Sequence, residues 1–188
     1  MGEKREPKEK PEETVIRLLT ERGMKVTAVE SCTGGMVCAK LTDVPGASKV
    51  FREGFVTYSD RAKRELVGVK KSTLKKHTAV SRQTAAQMAR GGAKAAKADA
   101  CISVTGYAGP EGGENGDPAG LVYIGCCVDG KVTVEEFHFS GDRRRNRQQA
   151  ARQALLLLKR CILSRDAETS KKVETAKTAE PAEAEARP

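Results

Sequence analysis

The sequence has no tryptophan, and its aromatic residues amount to 4% of 188 positions. That shortage removes the stacking platforms on which single-strand nucleic-acid binders rely. There are two histidines, and the six cysteines form no CxxC pair with a histidine nearby, which excludes the usual structural zinc sets. Cys32, Cys38, Cys101, Cys126, Cys127 and Cys161 mostly sit in apolar runs and read as reduced, buried thiols. No apolar run approaches the roughly 18 residues of a membrane span. No signal peptide opens the chain, and Glu6 stands where a myristoylation motif wants Ser or Thr. A soluble, cytoplasmic protein without metal or cofactor is expected. The signatures GxSxG, GxxxxGK[ST] and GxGxxG are all missing too.

Positive charge is abundant. Residues 14–163 hold 25 Lys and Arg against 14 Asp and Glu, a balance that favours an anionic partner: nucleic acid, a membrane surface or a small phosphorylated substrate. The two ends are rich in charge, Pro and Ala and nearly free of large apolar residues. Such composition predicts disordered tails at 1–11 and 164–188 around one domain at 12–163.

Apolar periodicity predicts a helix from near Glu12 to Gly23, and "KVTAVE" reads as a strand. Gly34 is expected to open a second helix, and "VFREGFVTYS" reads as a strand broken by Gly54. Short helical pieces follow between Ser59 and Lys76, interrupted by Gly68. Ser81 is a plausible N-cap for an Ala-rich helix whose middle Gly91 and Gly92 should weaken. "DACISVTG" reads as a buried strand, "GLVYIGCCV" and "KVTVEEFHF" as a hairpin turned by "DG", and a last helix begins near Asp142. Strands alternating with helices, then a hairpin, define an α/β fold: a three-layer α/β/α sandwich on a mixed, mostly parallel sheet.

In such sheets functional groups gather at the carboxyl ends of the strands. Three turns qualify: "ESCTGG" at 30–35, "TYSDRAK" at 57–63 and "TGYAGPEGGENGDPAG" at 105–120. In the first, Gly34 and Gly35 suit an oxyanion hole or phosphate cradle, with Ser31 at its rim as either a nucleophile or a simple helix cap. Cys32 competes with Ser31, since a thiolate at a helix start has a lowered pKa. In the second, Lys63 could share a site with Tyr58, as a base if burial lowers its pKa or as a solvated cation. The third is a glycine-rich loop that Pro110 and Pro118 argue is ordered. Later, "FSGDRRRNR" sets Arg143 and Arg147 one turn apart at a helix start, as a phosphate clamp or a solvated basic face.

Taken in order, "AVESCTGG", "KLTDVPGAS", "GFVTYSDRAKRELVGV", "AVS", "SVTGYAGPEGG", "GLVYIG" and "FSGDRRRNR" resemble the CinA C-terminal domain family, over about residues 12–163. The enzymatic members of that family are nicotinamide-nucleotide amidohydrolases. The resemblance implies a metal-free serine amidase converting nicotinamide mononucleotide and water to nicotinate mononucleotide and ammonia, in the stand-alone rather than the fused form and as a homo-oligomer. It makes Ser31 the nucleophile and Lys63 the base, with Tyr58 beside it. Glu30, Thr33, Gly34 and Gly35 would serve substrate binding and the oxyanion. Thr105, Gly106 and Gly109 would shape the pocket, and Arg143 and Arg147 would meet the phosphate. Tyr107 and Glu111 depart from the family pattern. A catalytically silent nucleotide-binding or interaction protein linked to competence or DNA repair is the alternative. A nucleic-acid binder using the basic run Arg61–Lys76 is the weaker third.

Overall fold

The computed structural model describes residues 9–178. Its centre is a five-stranded sheet of β1 (Val26–Glu30), β2 (Phe55–Val56), β3 (Ala100–Gly106), β4 (Leu121–Val128) and β5 (Lys131–His138), in the order β2-β1-β3-β4-β5. β2, β1 and β3 run parallel, and β4 is antiparallel to both its neighbours. Four strands therefore point one way, with β4 alone reversed. β1 is buried along its whole length and β3 at every residue but its last, as expected of strands covered on both faces.

Helices α1 (Pro11–Glu21), α2 (Met36–Thr42) and α6 (Arg143–Thr178) form one outer layer, and α3 (Asp60–Val67), α4 (Lys71–His77) and α5 (Arg82–Ala95) the other. A large apolar core lies under the first layer, built on Leu19, Leu41, Ile102, Ile124, Leu155 and Leu158, and a smaller one lies under the second, around Val29, Val67 and Met88. Both layers are positively charged: α3, α4 and α5 carry nine Lys and Arg against two acids, and α1, α2 and α6 carry thirteen against six.

The local signals act as their chemistry dictates. Ser59 and Ser81 cap α3 and α5 by accepting the amides of Ala62 and Thr84. Asp129 and Gly130, both at positive φ, turn the β4–β5 hairpin. Two expectations are corrected. Only Phe55 and Val56 of the "VFREGFVTYS" stretch form a strand, with Phe51 adding an isolated bridge to Val26. Gly91 and Gly92 do not interrupt α5: a Cβ at Gly91 would stand 1.7 Å from the Val67 carbonyl oxygen, so glycine here is what lets α5 pack tightly on α3. Contacts are also made where the expected tails meet the domain. Glu9 pairs with Arg17, and the Glu13 carboxylate accepts the Lys10 amide at the start of α1. α6 continues past residue 163, where Asp166 pairs with Arg22 and Arg165 with Asp129. Residues 1–8 and 179–188, where the remainder of the expected tails falls, lie outside the described residues.

Candidate active site

β1, β2 and β3 all deliver their carboxyl ends to one edge of the sheet, and the chain returns there after β5 to begin α6. The turn after β1 is organised by Glu30 rather than by Ser31. The Glu30 side chain is fully buried, and its carboxylate accepts the amides of Gly35, Val37 and Cys38 at 3.0, 3.0 and 2.8 Å. An anion at a helix start satisfies orphan amides and complements the helix dipole. Glu30 thus caps α2 and is unavailable to a substrate. The same arrangement occupies Gly35, while the Gly34 amide donates back to the Ser31 carbonyl. The two glycines shape the turn, both at positive φ, and do not supply the oxyanion donors expected of them. The amides of Cys32 and Thr33 donate to no carbonyl or side-chain oxygen among the described residues, and the buried Thr33 hydroxyl likewise has no partner there.

With the cap supplied by Glu30, Ser31 is left for other work. The residue is 9% exposed, and its Oγ accepts a hydrogen bond of 3.1 Å from Lys63 Nζ. Lys63 extends from the inner face of α3, is 1% exposed, and also donates to the Thr57 carbonyl at 2.9 Å. Its burial lowers the ammonium pKa below the ordinary lysine value, against weaker opposing pulls from Asp60 and Cys32. Sequence spacing left Lys63 open between a base and a solvated cation. The structure buries it against the serine. Cys32 goes the other way: burial pushes its thiol up to about 11 despite the nearby Lys63 and Arg147, so it is protonated at neutral pH and a poor nucleophile.

Ser31, Lys63 and Cys32 line a cleft of about 250 Å³, walled also by Tyr107 and Gly109 and, at its exposed mouth, by Glu111, Tyr58 and Arg143. Tyr58 is 61% exposed, and its hydroxyl accepts from Arg143, which also donates to the Gly109 carbonyl at 2.8 Å. Thr105 is buried with its hydroxyl on the Ala79 carbonyl, and Gly106 is closed in by Leu121 and Val122, so both build the wall. Two larger clefts, one between α3 and α5 and one between β5 and α6, contain neither Ser31 nor Lys63. Among the described residues, no group of three or more His, Cys, Asp or Glu could hold a metal ion.

Arg147 is not where a phosphate ligand would be. Its Nε donates to the Cys32 carbonyl at 2.9 Å and its Nη2 to the Thr33 carbonyl at 2.8 Å, and it does not line the cleft. Asn146, absent from the residues singled out by sequence, ties the Ala108 carbonyl to the Gly141 amide and is almost fully buried. Its position between two arginines in the first turn of α6 was the available signal. The start of α6 therefore braces both the serine turn and the glycine-rich loop.

A three-layer α/β domain with a buried lysine holding a serine at the carboxyl ends of parallel strands defines a class of α/β domain with a serine–lysine cleft. The chain belongs to the CinA C-terminal domain family, whose model matches residues 8–162. It is 48% identical to a CinA-like protein of Kosmotoga olearia over 81% of this chain and 37% of that protein. The chain thus spans little more than a third of the length of the curated relatives it matches. A solved CinA superfamily protein from Klebsiella pneumoniae superposes with a TM-score of 0.80 at 38% identity, covering 82% of this chain and 96% of that one. The competence/damage inducible protein CihA of Agrobacterium tumefaciens gives 0.74 at 40% identity over 79% and 93%.

Proposed function

We propose that this chain is a cytoplasmic nicotinamide-nucleotide amidohydrolase, converting nicotinamide mononucleotide and water to nicotinate mononucleotide and ammonia. The observation that carries this reading is the 3.1 Å hydrogen bond from the buried Lys63 Nζ to Ser31 Oγ. Neutral Lys63 accepts the hydroxyl proton as Oγ attacks the carboxamide carbon. The oxyanion that forms is met by the unengaged amides of Cys32 and Thr33. Lys63 then returns the proton to the leaving nitrogen, ammonia departs, and an ester to Ser31 remains. Water, deprotonated by Lys63, attacks that ester to give the carboxylate and free serine. The scheme needs only these two side chains as nucleophile and proton carrier, and Arg143, which lines the same cleft, would receive the phosphate.

Ammonia release from nicotinamide mononucleotide by the purified protein tests the reading directly. Ser31→Ala should abolish turnover while the protein stays folded, because it removes one hydroxyl and leaves Lys63 its bond to the Thr57 carbonyl, and Cys32→Ala should retain most activity. Normal turnover by Ser31→Ala would eliminate the acyl-enzyme route. The competence and damage wording in the relatives' names favours a second reading, a non-catalytic nucleotide-binding or interaction protein. The two separate on the same measurement, since the second releases no ammonia.

A further inference from the structure

Tyr107 and Glu111 both line the cleft. Their loop, residues 107–120, is held at both ends and pinned within. The Tyr107 amide donates to the Leu121 carbonyl, the Gly120 amide to the Tyr107 carbonyl, and the Gly113 amide to the Asp117 carbonyl, at 2.8, 2.6 and 2.8 Å. Tyr107 is half-buried in the wall of the cleft. Gly113 sits behind it, where a Cβ would come within 2.6 Å of the ring. Glu111 has no hydrogen bond or ion pair among the described residues, and it is the one acid lining the cleft. Arg143 is the exposed cation at the mouth, anchored to Gly109 and Tyr58.

The cleft is therefore bipolar. The exposed, unpaired Glu111 carboxylate and the half-buried Tyr107 ring line it from the loop, the exposed Arg143 guanidinium lines it from α6, and Ser31 lines the same cleft. An anionic substrate alone would gain from Arg143 and lose at Glu111. A molecule with a delocalised cationic ring at one end and a phosphate at the other gains at both.

We propose that Glu111, with the Tyr107 ring, is a specificity-determining residue that recognises the positive charge of a pyridinium carboxamide. The inference rests on the amidohydrolase reading and narrows it: the preferred substrates are zwitterions with a quaternised aromatic ring, and the same carboxamide on an uncharged dihydropyridine ring is discriminated against. A carboxylate facing a cationic ring across a partly hydrated cleft contributes about tenfold in affinity, and a cation over a tyrosine face adds a smaller factor.

The test uses the full-length protein and two probes that share carboxamide, ribose and phosphate, namely nicotinamide mononucleotide and its dihydro form. Calorimetric binding to both is measured alongside ammonia release. The wild type is expected to bind the oxidised probe about tenfold more tightly. Glu111→Gln should remove most of that preference by weakening the oxidised probe alone, and Glu111→Asp should restore part of it. Equal affinities in the wild type, equal losses for both probes in Glu111→Gln, or binding of neither probe would overturn the assignment. Ammonia release with no charge preference sinks the role of Glu111 and leaves the amidase reading standing. A charge preference without ammonia release supports the assignment and sinks the amidase reading.

Discussion

Replacing Arg147 with alanine separates a residue that holds substrate from one that holds the site. Its guanidinium takes two backbone carbonyls of the serine turn, at 2.9 and 2.8 Å, and packs against Gly34, where a Cβ would stand 3.2 Å from Nη2. Hydrogen bonds from a charged group contribute roughly 1.5–3 kcal/mol each. The half-exposed position of Arg147 sets the pair at the lower end, about 3 kcal/mol together. In a chain of this size each kcal/mol moves the melting temperature by about 2–4 °C, so Arg147→Ala should melt about 6–12 °C lower. The released turn carries Ser31 and the amides of Cys32 and Thr33. Turnover should therefore fall through kcat, and equally on nicotinamide mononucleotide and its dephosphorylated riboside. Thermal melting and steady-state ammonia release on both substrates measure this. A wild-type melting temperature, with the loss confined to a raised KM for the mononucleotide, would refute the bracing role and restore a phosphate contact.

The lowered Lys63 pKa has a definite sign. Between its folded value and the ordinary lysine value near 10.5, the unfolded chain binds the extra proton, so this residue's contribution makes stability rise with pH across that window. Denaturant midpoints of the wild type and Lys63→Met should show that rise only in the former; parallel profiles would mean that Lys63 titrates normally. The kcat/KM of the wild type should climb with pH as Lys63 loses its proton and level off below pH 10.5. Ending the chain at residue 163 removes the partners of Arg22 and Asp129. It should lower the melting temperature by a few degrees at roughly 0–1 kcal/mol per exposed pair, and an unchanged melt would show that the far end of α6 adds nothing.

Much of this fold is written in short-range chemistry. The "DG" turn, the serine caps of α3 and α5, the Gly68 break and the uniformly apolar β3 each depend on neighbours in sequence, and each was legible. What was not legible depends on residues far apart in the chain. That Glu30, not Ser31, caps α2 follows from the strand's direction as it enters the turn. Arg147 reaches the carbonyls of Cys32 and Thr33 only because α6 starts beside β1. Gly91 looked like a flaw in a helix, and its reason is a carbonyl on another helix. The long α6 was cut short in the reading because composition reports the hydrophobicity of a segment and not the surface waiting for it. The pairing of Ser31 with Lys63 came through the family resemblance. Spacing alone placed both at strand ends without joining them.

The two helical layers carry the same positive surplus, so the charge of the molecule does not distinguish one face of the sheet from the other. An approaching anion is drawn to either face alike, and nothing in the far field turns the cleft toward it. Selection is therefore left to the cleft itself, after contact. Because the Debye length shrinks to about 8 Å in physiological salt, even this unspecific attraction acts only in the last molecular diameter of the approach.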